Sequence, residues 1–121
     1  MKYEAQNDVE KALAAHERRN AELCRVFTER NIDTSEPRLI ECHFWAGSRV
    51  TAEELAKDLA ARGFSILRMK LSHSQSEPSL WNVEAGIRQT IDLTIRREFT
   101  DDLVRLALAH ASEYDGWGTR I

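Results

Sequence analysis

The sequence predicts an α+β fold in which one antiparallel sheet carries helices on a single face. Segments with apolar residues at every second position, typical of half-buried strands, alternate with segments whose apolar residues recur at helical spacing. The 121-residue chain is also long enough to bury one core. Its composition, 42% hydrophobic and 31% charged, is that of a globular domain.

The first predicted element is a long helix over about residues 8–30, rich in good helix formers. Asn7 or Asp8 is expected to cap its beginning. His16 and Asn20 interrupt its apolar stripe, so the first half is expected either to project from the body or to pack on something polar. The stripe consists of Val9, Leu13, Leu23, Cys24 and Phe27.

The next segment, 38–45, predicts a strand because its side chains alternate between two faces. Ile40, Cys42 and Phe44 lie on one face, and Glu41, His43 and Trp45 lie on the other. Thr51 with Glu54 then predicts a capping box for a second helix that ends at Arg62. This helix buries Leu55 and Leu59, and Gly63 is its expected C′ residue.

Two further strands are predicted on either side of a polar loop at 72–79. The first covers 64–71, with Leu67, Met69 and Leu71 on the buried face and Arg68 and Lys70 on the other. The second begins at Trp81, and its buried face carries Trp81, Val83, Ala85 and Ile87.

A third helix is predicted over about 93–112, and Thr100 with the two aspartates after it marks an alternative, later start. Its stripe consists of Ile95, Phe99, Leu103, Leu106 and His110. Residues 114–121 then form a turn and a short edge strand.

The resulting order, a helix followed by β-α-β-β-α-β, predicts a ferredoxin-like fold with a four-stranded antiparallel sheet. Right-handed crossovers place the first and third strands in its centre. We expect a single domain, with residues 1–31 as an added N-terminal helix and 37–121 as the body. The side chains predicted to be buried together are Ile40, Cys42, Phe44, Leu55, Leu59, Leu67, Met69, Val83, Phe99, Leu103 and Leu106.

The opposite sheet face is the predicted partner-binding surface, because its mixed charges suit a protein partner. The residues assigned to partner binding are Glu41, His43, Trp45, Arg68, Lys70, Glu84 and Arg88, and Asn82 lies among them. Trp45 and His43 also allow RNA to stack there, but the net charge of −3 and the acidic residues on this face disfavour nucleic acid. A small enzyme that uses His43 with Glu41 and Glu84 is the remaining alternative, and no catalytic or metal-binding motif supports it.

Cysteine use and hydropathy place the protein in a reducing compartment, with the cytoplasm as the default. Cys24 and Cys42 do not form a disulfide framework and are expected to be buried, reduced thiols. No segment has the roughly 20 apolar residues that span a bilayer, and the N-terminus lacks the apolar run of a signal peptide. We expect no metal and no cofactor. The uncovered strip on the first helix predicts a homodimer or another contact through that helix.

The most distinctive motif closes the chain, where two glycines flank a tryptophan. It comprises Tyr114, Asp115, Gly116, Trp117, Gly118 and Thr119. A turn of this kind favours a structural corner in which the indole packs on the sheet edge. The alternative is a binding anchor, because Trp and Tyr are frequent hot-spot residues.

This motif resembles the C-terminal signature of the regulator of ribonuclease E activity B family. The similarity covers roughly residues 21–121 and includes Pro37-Arg38, Gly63-Phe64, Trp81 with Val83, and Leu103 to Ala107. The resemblance implies a ferredoxin-like, non-catalytic protein that binds and inhibits the bacterial endoribonuclease E. The sequence carries no strongly acidic terminal extension, which the better-studied members have. An immunity-type inhibitor of a toxic nuclease, which needs a similar compact acidic scaffold, is the alternative.

Overall fold

The computed structural model describes residues 2–72 and 79–121, with side chains from Asn7 onward. Most of the predicted polar loop at 72–79 lies outside the described residues. The elements are α1 (Lys2–Glu29), β1 (Arg38–Ala46), α2 (Arg49–Ala61), β2 (Ser65–Ser72), β3 (Leu80–Gln89), α3 (Ile91–Thr94), α4 (Arg97–Ala109) and β4 (Ser112–Gly118).

The strands form one antiparallel sheet in the order β2-β3-β1-β4, so the prediction of a ferredoxin-like sheet with the first and third strands in its centre is confirmed. β1 pairs with β3 along its whole length, from Arg38 opposite Gln89 to Ala46 opposite Trp81. Residues directly opposite each other share a face, so this register sets which side chains meet on each side of the sheet.

The core lies on the inner face of the sheet, between the strands and the helices. Ile40, Cys42, Phe44 and Val83 are fully buried there, and Leu55 and Leu59 of α2 are buried with them. Leu103 and Leu106 of α4 are 2% and 4% exposed. Met69 and Phe99 are half-buried against this cluster. Ten of the eleven side chains predicted to form the core are therefore found in or against it.

Leu67 is the exception, and its predicted burial is wrong. Ile66 pairs with Ala85 and Arg68 pairs with Glu84, so two neighbouring positions of β3 face three of β2. The extra residue is Leu67, in a β-bulge that turns its side chain to the outer face, where it is 44% exposed. Alternation predicted the inner face because it assumes an unbroken pleat.

Helix boundaries differ from the prediction at the starts of α1 and α2, and the predicted end of α2 is confirmed. α1 starts at Lys2, so Asn7 and Asp8 lie within the helix and do not cap it. Ser48, not Thr51, caps α2, and Thr51 is the N3 residue of the capping box. Gly63 follows the α2 C-cap with a φ of +97°, as predicted for a C′ residue.

The predicted third helix is two helices, because the backbone is extended at Arg96 between them. The Thr90 hydroxyl accepts from the Leu93 backbone N–H and caps α3. The buried Thr94 hydroxyl donates to the Thr90 carbonyl and accepts from the Gln89 amide at 2.8 Å. The chain is then extended at Arg96, so α4 begins after it, three residues before the alternative start at Thr100.

α1 packs against α4 and contacts β4 through His16, Arg19 and Asn20, so its first half does not project from the body. Val9 and Leu13 are 3% and 2% exposed, so the expectation of an uncovered apolar strip is wrong. Two ion pairs hold the helices together, because Arg97 of α4 lies 2.6 Å from the Glu17 carboxylate and 3.4 Å from that of Glu10. The reason for expecting a dimer through α1 therefore does not hold.

Candidate partner-binding face

The outer face of the sheet presents the side chains that the alternation pattern assigned to it. In register, Trp45 lies opposite Asn82, and His43 lies opposite Glu84. On the β2 side, Lys70 pairs with Asn82 and Arg68 pairs with Glu84. The sheet therefore brings six of the predicted residues into two rows across three strands. Glu41 and Arg88 lie further along the same face, opposite Gly86 and Leu39.

Glu84 contacts side chains on both neighbouring strands of these rows. One carboxylate oxygen lies 3.4 Å from His43 Nδ1, and the other lies 4.0 Å from Arg68 Nε. The Glu84 side chain is 21% exposed and that of Arg68 is 59% exposed, so the acid is the better covered partner. Glu84 is thus shared between a histidine and an arginine.

The enzyme alternative required Glu41 to join His43 and Glu84, and the structure does not bring Glu41 into this group. Glu41 lies opposite Gly86 and Gly118 and makes no ion pair with the described residues. Across residues 2–72 and 79–121, no three His, Cys, Asp or Glu side chains are clustered so that they could hold a metal ion. What remains is one histidine beside one shared carboxylate.

A groove of about 510 Å³ lies on the outer face between Trp45 and β2. Its lining includes His43, Arg68, Lys70 and Asn82, together with Asp115. The prediction placed Asp115 in the closing motif and not on this face. The extra residue of a bulge in β4, between the pairs His43–Gly116 and Phe44–Tyr114, brings it there.

Two leucines of the outer face were missed by the sequence analysis. Leu39 is 45% exposed and Leu67 is 44% exposed. Leu39 has the same parity as Glu41, so alternation along β1 was a sufficient signal to place it outward. No comparable signal existed for Leu67, because its orientation depends on the bulge in β2.

The two aromatic side chains of the closing motif are turned inward, and the motif joins the sheet to α1. Trp117 is 2% exposed, and its indole N–H donates to Asn20 Oδ1 at 2.9 Å. Arg19 Nη2 donates to the Trp117 carbonyl at 2.7 Å. Gly116, with a φ of +129°, lets Arg19 approach, because a Cβ there would lie 2.7 Å from Arg19 Nη1. Burial favours the structural corner over the binding anchor for Trp117.

His16 makes the second polar contact between α1 and β4. Its ring stacks on Tyr114 with centroids 4.8 Å apart, and Nε2 donates to the Tyr114 carbonyl at 3.1 Å. Desolvation lowers the pKa of His16 below its usual value, although the carbonyl contact acts in the opposite direction. His16 and Asn20 interrupt the α1 stripe because each one meets a polar group of β4, which is the second of the two predicted outcomes.

The Tyr114 hydroxyl lies beside the Cys42 thiol in the interior. Burial raises the pKa of Cys42 to about 12, and the contact with the Tyr114 hydroxyl partly offsets this effect. Burial also raises the pKa of Tyr114 well above its usual value. Both groups are therefore neutral at physiological pH, and the predicted buried, reduced state of Cys42 matches its position. Cys24 is only half-buried, on α1.

The fold and the inward-facing motif can now be compared with known proteins. The family described as regulator of ribonuclease activity B matches residues 17–119. This chain belongs to that family. The match begins just before Arg19 and Asn20 and ends just after Trp117, so it includes both sides of the contact between α1 and the closing motif.

One curated relative supports the family assignment. The chain is 30% identical over 93 residues to the regulator of ribonuclease activity B of Photobacterium profundum. The aligned region covers 72% of this chain and 69% of that protein. None of the helices within residues 2–72 and 79–121 is long and apolar enough to cross a membrane.

Proposed function

We propose that this chain regulates a bacterial ribonuclease by binding it through the outer sheet face, without catalysing a reaction itself. The observation that carries the proposal is the asymmetry of the sheet. α1, α2 and α4 pack on the inner side, whereas none of the described elements covers the outer side. Endoribonuclease E, in the cytoplasm, is the target that the family resemblance implies.

The chemistry of the outer face favours binding over catalysis. Glu84 contacts both His43 and Arg68, so its carboxylate is engaged by side chains of the face itself. Charged groups of both signs are arranged around Trp45, which is half-buried and presents an aromatic surface at the groove. Aromatic anchors within a mixed polar rim are typical of protein interfaces.

RNA is a weaker candidate for the same face. The three cations of the outer face, Arg68, Lys70 and Arg88, lie on β2 and β3, and Arg68 is paired with Glu84. The acids Glu41 and Asp115 lie on the β1–β4 side, where a phosphate backbone would meet repulsion. We therefore infer that the ribonuclease itself, and not its substrate, contacts this face.

The test is the affinity of the purified chain for purified ribonuclease E, measured by surface plasmon resonance alongside the rate of RNA cleavage. We expect Arg68→Glu/Lys70→Glu to weaken binding at least about 30-fold, the loss expected from a hot spot of about 2 kcal/mol, and to relieve inhibition in parallel. Lys11→Glu/Arg18→Glu on exposed positions of α1 is the matched control, because it changes the net charge equally and leaves the sheet untouched.

Two results would contradict the proposal. One is the failure of the wild-type chain to bind the ribonuclease. The other is normal binding by Arg68→Glu/Lys70→Glu combined with loss of binding by a stably folded Trp117→Ala protein, which would move the site to the closing motif. A turnover by the chain alone that disappears in His43→Ala would instead support the enzyme alternative.

A further inference from the structure

The outer face contains an apolar patch at the end away from the groove. Leu39 of β1 and Leu67 of β2 are separated by the central strand β3, and Gly86 lies between them. A Cβ built on Gly86 would lie 3.0 Å from the Cδ1 atom of each leucine. The two side chains therefore close over the glycine from both sides and form one continuous surface, which we call the leucine pair.

The leucine pair depends on two independent features of the sheet. The bulge between Ile66 and Arg68 turns Leu67 outward, and without it this leucine would face α2. The glycine in β3 leaves the space into which both leucines lean. A central strand usually carries a β-branched or aromatic residue, since glycine in a strand interior weakens it. Both features have a cost in stability and leave two large apolar side chains in water.

Charges of opposite sign lie on different strands of the outer face. Arg68, Lys70 and Arg88 lie on β2 and β3. Glu41, Glu113 and Asp115 lie on β1 and β4, where Glu113 is placed on the outer face by its register opposite Trp45. The outer face thus has a half on β2 and β3 that carries these cations together with Glu84, and a half on β1 and β4 that carries the other acids, and the leucine pair spans both halves.

We propose that the leucine pair is the apolar anchor of the ribonuclease-binding face. Its occupant is a protein surface that projects an apolar side chain, with carboxylates on the side that meets β2 and basic groups on the side that meets β4. This inference rests on the proposed function and adds to it the residues that determine affinity and orientation. Opposite charges on the two halves permit one orientation of the partner and repel the reverse one.

The physical basis is the usual anatomy of an interface. A few apolar residues near the centre lose their water on binding and carry most of the affinity, and the polar rim excludes solvent and sets the register. Leu39 and Leu67 are preorganised by the sheet, so little side-chain freedom is lost when they are covered. Charge steering then affects the rate of association, and the leucine pair affects the rate of dissociation.

The experiment compares two double variants of the full chain in binding to purified ribonuclease E. We expect Leu39→Ser/Leu67→Ser to weaken binding at least about 30-fold, mainly through faster dissociation. The control is Leu93→Ser/Leu108→Ser, which alters two leucines of similar exposure, 40% and 45%, in α3 and α4. The control protein should bind as the wild type does.

A measurement on the wild-type chain tests the same contact without depending on whether the variant folds. Hydroxyl-radical footprinting should show protection of Leu39 and Leu67 in the complex and unchanged oxidation of Leu93 and Leu108. Unchanged oxidation of the leucine pair, or wild-type affinity in Leu39→Ser/Leu67→Ser, would overturn this inference and leave the proposed function in place.

Other outcomes identify a different occupant. Sedimentation that shows a dimer which Leu39→Ser/Leu67→Ser converts to a monomer would mean that a second copy covers the patch, and the inference would be wrong. Binding of the isolated chain to RNA that the same variant abolishes would equally contradict it. A wild-type chain that binds no ribonuclease would overturn the proposed function and this inference together.

Discussion

The contact between Trp117 and Asn20 is a buried polar bond between the last strand and the first helix. The indole N–H donates to Asn20 Oδ1 at 2.9 Å, and Asn20 is only 6% exposed. Asn20 Nδ2 has no hydrogen-bonding partner among the described residues. Because an unpaired polar group in the interior costs about 1–3 kcal/mol, removing either partner of this bond has a large effect.

We expect Trp117→Ala to lower the free energy of unfolding by about 3–5 kcal/mol, because it creates a cavity and leaves the Asn20 side chain without a partner. Urea denaturation followed by circular dichroism measures this change. Trp45→Ala removes a half-buried tryptophan from the outer face and should cost much less. A Trp117→Ala protein within about 1 kcal/mol of the wild type would show that the indole is not structural.

His16 couples the same contact to pH. Folding buries half of its ring and thereby lowers its pKa below the usual 6.5. The unfolded chain then binds a proton more readily than the folded one, so the stability from His16 is present above pH 6.5. It is lost as the pH falls from there through the lowered folded-state pKa.

We expect the stability of the wild type to fall relative to that of His16→Gln between pH 7.5 and 5. Glutamine keeps an N–H donor for the Tyr114 carbonyl but does not titrate in this range. The comparison cancels the contributions of the other three histidines, which both proteins retain. Thermal unfolding midpoints at several pH values give the result, and a difference that does not change with pH would contradict this role.

At the scale of single elements, α2 illustrates how two similar signals compete for one helix start. Ser48 Oγ accepts from the Thr51 backbone N–H at 3.2 Å, and Thr51 Oγ1 accepts from the Ser48 N–H at 3.3 Å. The pattern Thr51 to Glu54 has the same spacing and a more usual acid at its end. The earlier box is the one formed, and it adds three residues to the helix.

We expect Ser48→Ala to destabilise the protein by about 1 kcal/mol, the usual cost of losing an N-cap. Glu54→Ala should have an effect within about 0.5 kcal/mol, because this exposed side chain lies within the helix and caps nothing. Chemical denaturation of the two variants in parallel tests the assignment. A larger effect of Glu54→Ala would return the cap to Thr51.

The two edges of the sheet are protected from pairing with other chains in different ways. On β4, His16 and Arg19 of α1 bind the carbonyls of Tyr114 and Trp117, so the helix covers this edge. On β2, Arg68 and Lys70 and a bulge occupy the other edge. Charges and bulges on edge strands discourage unwanted pairing with other chains. α1 therefore covers the edge of the sheet that β4 forms.

At the scale of the whole molecule, the reactivity of the Cys42 thiol measures how often the folded core opens. It lies on the central strand β1, is fully buried, and has a pKa of about 12 because of that burial. Its thiolate, the reactive form, is therefore scarce as well as inaccessible in the folded protein. It becomes accessible only when the sheet separates from the helices packed on its inner face.

We expect a thiol reagent to modify Cys42 in the Cys24→Ser variant only through global unfolding. The labelling rate should then depend on urea with the same slope as the free energy of unfolding. Cys24, half-buried on α1, should react faster in a Cys42→Ser protein. Rapid labelling of Cys42 in native buffer would indicate a local opening of β1.

The sequence by itself determined the order of the strands and long helices, the two faces of β1 and β3, and the family. These features are local, because strict alternation reports burial on one side of a strand and the closing motif is a short, fixed pattern. The same alternation located the six residues that form the two rows of the outer face, which include His43 and Glu84. It also held for Leu39, whose outward position follows from the parity of β1.

Only the tertiary structure decided the orientation of Leu67, the partners of His16 and Asn20, and the covered state of Val9 and Leu13. The bulge that turns Leu67 outward is a property of the pairing between β2 and β3. Asn20 meets Trp117 across 97 residues of chain, so a polar break in a helical stripe cannot reveal its partner. Periodicity records the average surroundings of a segment, whereas register and long-range hydrogen bonds depend on which distant segment packs against it.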